Sequence, residues 1–275
     1  MMTINPGFPP IFATNDPATG ETVAAAVNHL LAGLRNNLKN PPPISIATAY
    51  INPMGFAMIA DELEKVPRVR ILLGAEPENN ARIRDESLRA SAVDDALKTH
   101  EQVLRDQRDM LGFTQEVDAA AHRMVEWLHS LDPSQQPKVE VRRFTKGFLH
   151  GKAFIADHPD FSGVLAGSAN FTRAGMSWNR ELVLGYPSGT RTDLVQKWFQ
   201  ELWDQSEQFD LASVYEERWL PHPPIHIFLR MLWELYGRHL QSAIDEQMSY
   251  SNRIPNRRYS TGVENFAGTQ RCNRL

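Results

Sequence analysis

Two short stretches of the chain place four kinds of polar side chain at a matching spacing. His150 and Lys152 lie two residues apart at the start of an extended segment, and Ser168 and Asn170 repeat that spacing after the next one. Side chains two apart along a strand point to the same face. If the two segments pair as neighbouring strands, an imidazole, an ammonium, a hydroxyl and an amide converge on one spot.

Such a set of groups suits the chemistry of a phosphoryl group. The ammonium neutralises negative charge, and the hydroxyl and amide donate hydrogen bonds to oxygens whose charge grows in the transition state. An imidazole can attack phosphorus and form a covalent intermediate. Gly167, directly before Ser168, lets a ligand approach the backbone closely. No cluster of carboxylates accompanies these residues, so the predicted chemistry needs no metal ion.

Each of these residues also has an ordinary structural interpretation when it is taken alone. One histidine among nine is more often structural or exposed than catalytic, and a lone lysine is usually a solvated surface charge. Gly-Ser-Ala-Asn is a common turn sequence. The functional interpretation therefore depends on the order and spacing of the whole set.

Hydrophobic periodicity predicts the elements that carry these residues. Helical spacing from Val23 to Leu34 predicts a first helix, with Asp16 or Thr19 as its cap. A strand–helix–strand unit follows, which implies parallel pairing in an α/β sheet. This unit consists of a strand at 44–50, a helix at 56–63 and a strand at 69–73. The later predicted elements are strands at 139–144, 153–156, 164–166 and 182–186, and a helix at 192–203.

Residues 76–131 form a long, charged segment that is nearly free of glycine and proline. Between residues 76 and 126 there are 12 acidic side chains against 7 Lys or Arg. Two or three helices fit, one of them over 117–131. We expect a solvated helical insertion over the sheet, with a partner-binding arm as the alternative.

The predicted domains are a catalytic domain over 12–220 and a second segment over 221–275. The second segment is predicted as an amphipathic helix at 225–240 and a disordered tail from residue 249. The chain is either a free-standing module or a piece of a larger protein.

Composition excludes some classes of protein. A hydrophobic content of 42% allows an ordinary core, and a net charge of -4 excludes a strongly basic protein that coats nucleic acid. Cys272 is the only cysteine, which suits a reducing compartment, and the sequence has no apolar run long enough to cross a bilayer and no secretory signal. We therefore expect a cytoplasmic protein without a membrane partner.

Three motifs follow one another in the second half of the chain: His150-x-Lys152-x4-Asp157, Gly167-Ser168-x-Asn170-Phe171-Thr172 and Asn179-x-Glu181. Their order and spacing resemble the phospholipase D superfamily, and the Phe-Thr is typical of its nuclease-like branch. The N-terminal half is also similar to modules of this kind that are fused ahead of bacterial helicases. The resemblance implies an α/β fold in which helices flank a mixed sheet, and the helical insertion predicted from residues 76–131 adds to that fold.

The resemblance also implies a mechanism that uses no metal or cofactor. His150 would attack the phosphodiester and become a phosphohistidine. Lys152 and Asn170 would hold the phosphate oxygens, with Ser168 assisting. Glu181 would orient the imidazole through its second nitrogen.

Two further motif residues, Asp157 and Gly167, would support the structure of the site. The motif occurs once, because none of the other eight histidines is followed two positions later by lysine. The second histidine of the mechanism, which protonates the leaving oxygen, must then come from another chain. A two-fold homodimer is the simplest source, and a heterologous partner is the alternative.

Local charge points to the substrate. Between Lys138 and Arg180, seven Lys or Arg side chains stand against three acids. This basic island suits a polyanion, with Arg142, Arg143 and Lys146 as candidate substrate-binding residues. We expect a DNA nuclease, possible settings being restriction, phage defence or association with a helicase. The alternatives are a non-cleaving nucleic-acid-binding module that regulates a helicase, and phosphatidyl transfer on lipid.

Overall fold

The structure, a computed structural model, describes residues 12–16, 18, 21–39, 42–75, 86–109, 111–112, 114–156, 158, 162–187, 190–220, 223–229, 231–233 and 235–237. The chain divides into two units, residues 1–220 and 221–275. Four sequence-based predictions lie outside the described residues: Thr19 as a helix cap, the role of Asp157, the start of the insertion at 76–85, and the tail from residue 249.

The first unit is built on a mixed sheet. Its described strands are β1 (Phe12–Ala13), β2 (Ile44–Thr48), β3 (Val69–Leu73), β4 (Val139–Phe144), β5 (Lys152–Ala156), β6 (Gly163–Gly167), β7 (Val183–Pro187) and β8 (Ser206–Gln208). They are ordered β1-β7-β6-β5-β2-β3-β4-β8. Strands β2, β3 and β4 are parallel, and the other neighbouring pairs are antiparallel. The predicted α/β class with a mixed sheet is confirmed.

Helices cover both faces of this sheet. They are α1 (Val23–Asn37), α2 (Pro53–Ala57), α3 (Ala60–Leu63), α4 (Glu86–Asp109), α5 (Gln115–Leu128), α6 (Thr190–Asp204) and α7 (Leu211–Glu216). A π-helical turn spans Ala174–Trp178, and a 3₁₀ turn spans Glu217–Trp219. Apolar side chains of α6, such as Phe199, pack on one face of the sheet, and those of α1, α2 and α5 pack on the other. Because β2 and β5 are covered on both sides, they are buried along their whole length.

Local side-chain chemistry sets where the first helices begin. Thr22 caps α1, since its hydroxyl accepts from the Ala25 N–H at 3.1 Å. The prediction of Asp16 as the cap is wrong, because its carboxylate accepts from the Ala18 N–H within the preceding turn. Asn52 caps α2 by accepting from the Gly55 N–H at 2.8 Å.

The helical insertion is present as α4 and α5. Both carry charged outer surfaces, but each also buries an apolar side chain completely, Leu104 on α4 and Met124 on α5. Arg123 of α5 donates to the Glu64 carboxylate at 2.7 Å. That hydrogen bond raises the pKa of the Arg123 guanidinium further above its usual range. The insertion is therefore packed into the first unit rather than only solvated.

In the second unit, residues 224–229, 231–233 and 235–237 are helical. Large apolar side chains on this helical segment are exposed: Ile225, Ile227, Phe228, Leu229, Met231, Trp233, Leu235 and Tyr236. Across the part of the chain that the structure describes, no helix combines the length and the hydropathy needed to span a membrane.

Candidate active site

The motif residues lie along one edge of the sheet, the edge at which β2 and β6 end and β5 begins. Strands β5 and β6 are antiparallel neighbours, and Lys152 at the start of β5 lies opposite Gly167 at the end of β6. A Cβ atom at Gly167 would lie 2.0 Å from the Leu182 carbonyl oxygen. Only glycine therefore allows the chain before β7 to come this close to the end of β6.

The two-residue alternation does not extend to the whole set, contrary to the sequence-based expectation. β6 ends at Gly167 and β5 begins at Lys152, so His150, Ser168 and Asn170 lie in the adjoining loops. His150 is exposed, whereas Lys152 is only 4% exposed.

The segment before β5 lies against the end of β3, which explains why His150 is exposed and Lys152 is buried. The Leu149 N–H donates to the Ala75 carbonyl oxygen at 3.3 Å, at the end of β3. A Cβ at Gly74 would lie 2.1 Å from the Leu149 carbonyl oxygen. The residues before β5 are therefore held against the end of β3, and the loop presents His150 at the surface.

The amide of Asn170 is oriented by the end of β2. Its Oδ1 accepts from the Ala49 N–H at 3.2 Å and from the Thr48 hydroxyl at 3.4 Å. The Ala49 N–H can only donate, so the oxygen of the Asn170 amide must face β2 and the Nδ2 donors must face away from it. The same Thr48 hydroxyl accepts from the Phe171 N–H at 3.1 Å. The amide is thus oriented to donate hydrogen bonds to an anion.

Ser168 and Glu181 are joined directly. The Ser168 hydroxyl donates to the Glu181 carboxylate and accepts from the Leu182 N–H at 3.1 Å. The Glu181 N–H in turn donates to the Thr14 carbonyl oxygen at 3.4 Å. These bonds close the loop between residues 168 and 182 at its base and hold a carboxylate at the same sheet edge.

The loop from 169 to 181 is anchored by residues that the sequence analysis did not identify. Asn15 donates from Nδ2 to the Gly175 carbonyl at 2.8 Å and to the Asn179 carbonyl at 3.0 Å. Asn15 has a φ of 56°, which asparagine tolerates better than most residues. A Cβ at Gly175 would lie 2.4 Å from the Asn170 carbonyl oxygen, so this position also requires glycine.

A second supporting group lies after β2. The Asn52 N–H donates to the Phe171 carbonyl at 3.1 Å, and the buried Tyr215 hydroxyl donates to the Ile51 carbonyl at 2.7 Å. Burial raises the pKa of the Tyr215 hydroxyl, which keeps it protonated as a donor. The sequence held one signal for this group, its position directly after a predicted parallel strand. Ligands in α/β sheets bind beyond the carboxyl ends of such strands.

The candidate substrate-binding arginines already have partners within the protein. Arg142 pairs with Glu140 at 2.7 Å, and Arg143 pairs with Glu101 at 3.1 Å. Their guanidinium groups stack on different side chains, Arg142 on Trp203 and Arg143 on Phe209. Lys146 is exposed in the loop after β4. Substrate binding by these three residues stays a prediction.

Other members of the basic island are also paired. Arg180 lies 2.9 Å from the Asp16 carboxylate, and Lys138 donates to the Glu64 carbonyl. Arg173 stacks on Trp178 with its guanidinium carbon 4.7 Å from the ring centroid. Three arginines of the island pair with acids outside residues 138–180, so its positive field is weaker than the formal count of charges suggests. Over the described ranges, no group of three or more His, Cys, Asp or Glu side chains could hold a metal ion.

The sheet edge gathers an exposed imidazole, a buried ammonium and an oriented amide donor, the components of a site for a phosphoryl group. The chain belongs to the family described as cardiolipin synthase, PLD-like domain, whose sequence model matches residues 43–203. This places it in the phospholipase D superfamily, a class of phosphodiesterase-type enzymes. No curated protein matches the chain.

Solved structures of the superfamily are also similar to this chain. Nuc from Salmonella typhimurium, a phospholipase D family member, has 16% identity and a TM-score of 0.35, over 66% of this chain and 88% of that chain. NucT from Helicobacter pylori has 15% identity and a TM-score of 0.38, over 68% and 92%. Phosphatidylserine synthase from Haemophilus influenzae Rd KW20 has 16% identity and a TM-score of 0.42, over 84% and 46%.

Proposed function

We propose that this protein is a phosphodiesterase that cleaves DNA through a phosphohistidine at His150. The observation that carries the proposal is the sheet edge itself, where exposed His150 lies two residues before buried Lys152 and on the same edge as the Asn170 amide. The family membership supports phosphodiester chemistry in general. DNA as the substrate and a cytoplasmic location belong to the proposal.

The proposed reaction runs in two steps. A ring nitrogen of His150 forms a bond to phosphorus while the bond from phosphorus to the leaving oxygen breaks, and a second histidine gives that oxygen a proton. Water then forms a bond to phosphorus and loses a proton to the second histidine, while the bond from phosphorus to the His150 nitrogen breaks and the phosphate product is released. His150 is regenerated.

The other motif residues assist this reaction. Lys152 offsets the charge on the phosphate oxygens, and the Nδ2 of Asn170 donates to them. Glu181 orients the imidazole of His150 and selects its tautomer. Because Ser168 donates to Glu181, it assists by holding that carboxylate in place.

The second histidine comes from a second copy of the chain in this proposal. One motif supplies one His150, and the nucleophile and the general acid must stand on opposite sides of phosphorus. A two-fold axis that passes the sheet edge would bring His150, Lys152 and Asn170 of both copies to one phosphate.

Mixing of chains tests this shared site. Wild-type chains diluted with a large excess of His150→Ala chains should form mixed dimers that hold one intact histidine. The activity should then fall well below the fraction of wild-type chain, with the dimer verified by light scattering at assay concentration. Activity proportional to the wild-type fraction, or a fully active monomer, would contradict the shared site.

Activity should survive millimolar EDTA. In the proposed mechanism, the His150 imidazole is the nucleophile and Lys152 supplies positive charge, so no step requires a bound cation. The measurement is the cleavage rate with and without EDTA, followed by addition of Mg²⁺ or Mn²⁺. Complete loss in EDTA that either ion restores would point to a different active site.

Incubation of the purified protein with single-stranded and double-stranded DNA tests the substrate. Cleavage that His150→Ala removes supports the proposed function. Binding without cleavage by the wild-type protein would support the alternative, a nucleic-acid-binding module that regulates a helicase. Turnover of phospholipid vesicles in place of DNA would support phosphatidyl transfer.

A further inference from the structure

A buried histidine of the helical insertion lies directly behind the asparagine of the site. His100, on α4, is 2% exposed, and its Nε2 lies 2.6 Å from the Ala49 carbonyl oxygen. A carbonyl oxygen can only accept, so Nε2 carries a proton and donates. The ring also packs against Tyr50, with ring centroids 5.3 Å apart.

The residue that His100 holds is also the residue that holds Asn170. The Ala49 N–H donates to Asn170 Oδ1 at 3.2 Å. Ala49 itself is completely buried in the turn after β2. Two hydrogen bonds therefore connect the insertion to the site, from the His100 imidazole to the Ala49 carbonyl and from the Ala49 N–H to the Asn170 amide.

Contacts on both sides of His100 fix the position of helix α4, so the imidazole of His100 is held in place. The next residue, Glu101, accepts from Arg143 of β4 at 3.1 Å. One turn later, Leu104 is completely buried in the main core. Toward the start of the helix, Phe148 packs against the cluster of Ala75, Val93, Ala96 and Leu97.

We propose that His100 is a positioning residue of the active site, which holds Ala49 so that Asn170 presents its Nδ2 donors to the phosphate in the transition state. This inference rests on the proposed function. His100 is buried and acts through Ala49 rather than on the substrate. The helical insertion thus contributes to catalysis in addition to covering the sheet.

The size of the effect follows from the donor that His100 supports. Removal of one donor that stabilises a transition-state oxyanion lowers kcat by about 10²–10³-fold. Loss of its support displaces the donor rather than removing it, and a misplacement of about 1 Å can cost on the order of 10²-fold. We therefore expect His100→Leu to lower kcat by about 10- to 100-fold, with KM changed less than about threefold, since the donor acts in the transition state.

The experiment measures kcat and KM on bis-para-nitrophenyl phosphate, a chromogenic phosphodiester, with the full chain. His100→Gln places an amide nitrogen near the position of Nε2 and should restore kcat, whereas the shorter His100→Asn should not. This pair keeps the test decisive if His100→Leu does not fold. Leu104→Ala is the control, since it opens a cavity on the same helix and should lower the Tm while kcat per folded molecule is retained.

A double-mutant cycle with Asn170→Ala separates positioning from general stability. If His100 acts through Asn170, His100→Leu should lower kcat less than about threefold further once the amide is gone. If the two substitutions lower kcat by factors that multiply in the double mutant, or if His100→Leu has the wild-type kcat, this inference is wrong. The proposed phosphodiesterase function would then still stand. A wild-type protein that cleaves no phosphodiester would overturn both.

Discussion

His150→Ala abolishes cleavage of DNA in the proposed mechanism, because the His150 imidazole is the group that attacks phosphorus. Removal of a catalytic nucleophile typically lowers kcat by about 10⁴- to 10⁶-fold. The exposed position of His150 means that the substitution removes little packing, so the Tm should stay close to wild type. The measurement is the cleavage rate together with a thermal unfolding curve.

His158→Ala is the matched control for this result. His158 lies shortly after the other end of β5, outside the motif. Its replacement should leave cleavage unchanged. If His150→Ala keeps the wild-type rate while folded, the assignment of the nucleophile is wrong. Trapping of a phosphorylated histidine in the wild-type protein, and its loss in His150→Ala, would test the covalent intermediate directly.

Lys152→Met lowers kcat by about 10²–10³-fold in the same mechanism, because the charge that stabilises the phosphate oxygens is lost. Methionine is the informative replacement, since Lys152 is 4% exposed and alanine would also leave a cavity. Its unbranched side chain fills most of the space of the lysine stem. The measurement is kcat and KM on DNA and on bis-para-nitrophenyl phosphate.

The exposed Lys197 on α6 supplies the control for this prediction. Lys197→Met removes the same charge from the surface and should change kcat little. Lys152→Arg keeps the charge but changes its shape, so it should recover only part of the activity. A folded Lys152→Met with kcat within about threefold of wild type would contradict charge stabilisation by this residue.

Elements with a strong local pattern were predictable from the sequence. The strand at residues 69–73 was predicted with its observed bounds, and the parallel pairing of β2 with β3 followed from the strand–helix–strand order. Strands β1 and β8 were missed because two or three residues are too short to show a period. Strands this short form only because the neighbouring strand, β7 for β1 and β4 for β8, offers backbone hydrogen bonds.

The helix predicted at residues 56–63 shows a similar limit. Its apolar positions were correct, but the segment is divided into α2 and α3, and α2 begins earlier, at Pro53. A Cβ at Gly55 would lie 2.6 Å from the Phe171 carbonyl oxygen. The helix start is therefore adapted to a loop more than a hundred residues away in the chain, which no local sequence pattern records.

What the sequence by itself determined was the composition of the site: the motif with His150 and Lys152, the glycine that precedes Ser168, and a single copy in the chain. These are properties of residue type and local spacing. Only the tertiary structure decided how the site is supported, because Asn170 is held by Ala49, and Ala49 by His100. Those contacts join loops and helices far apart in the chain, and such hydrogen bonds form only when the sheet brings their ends together.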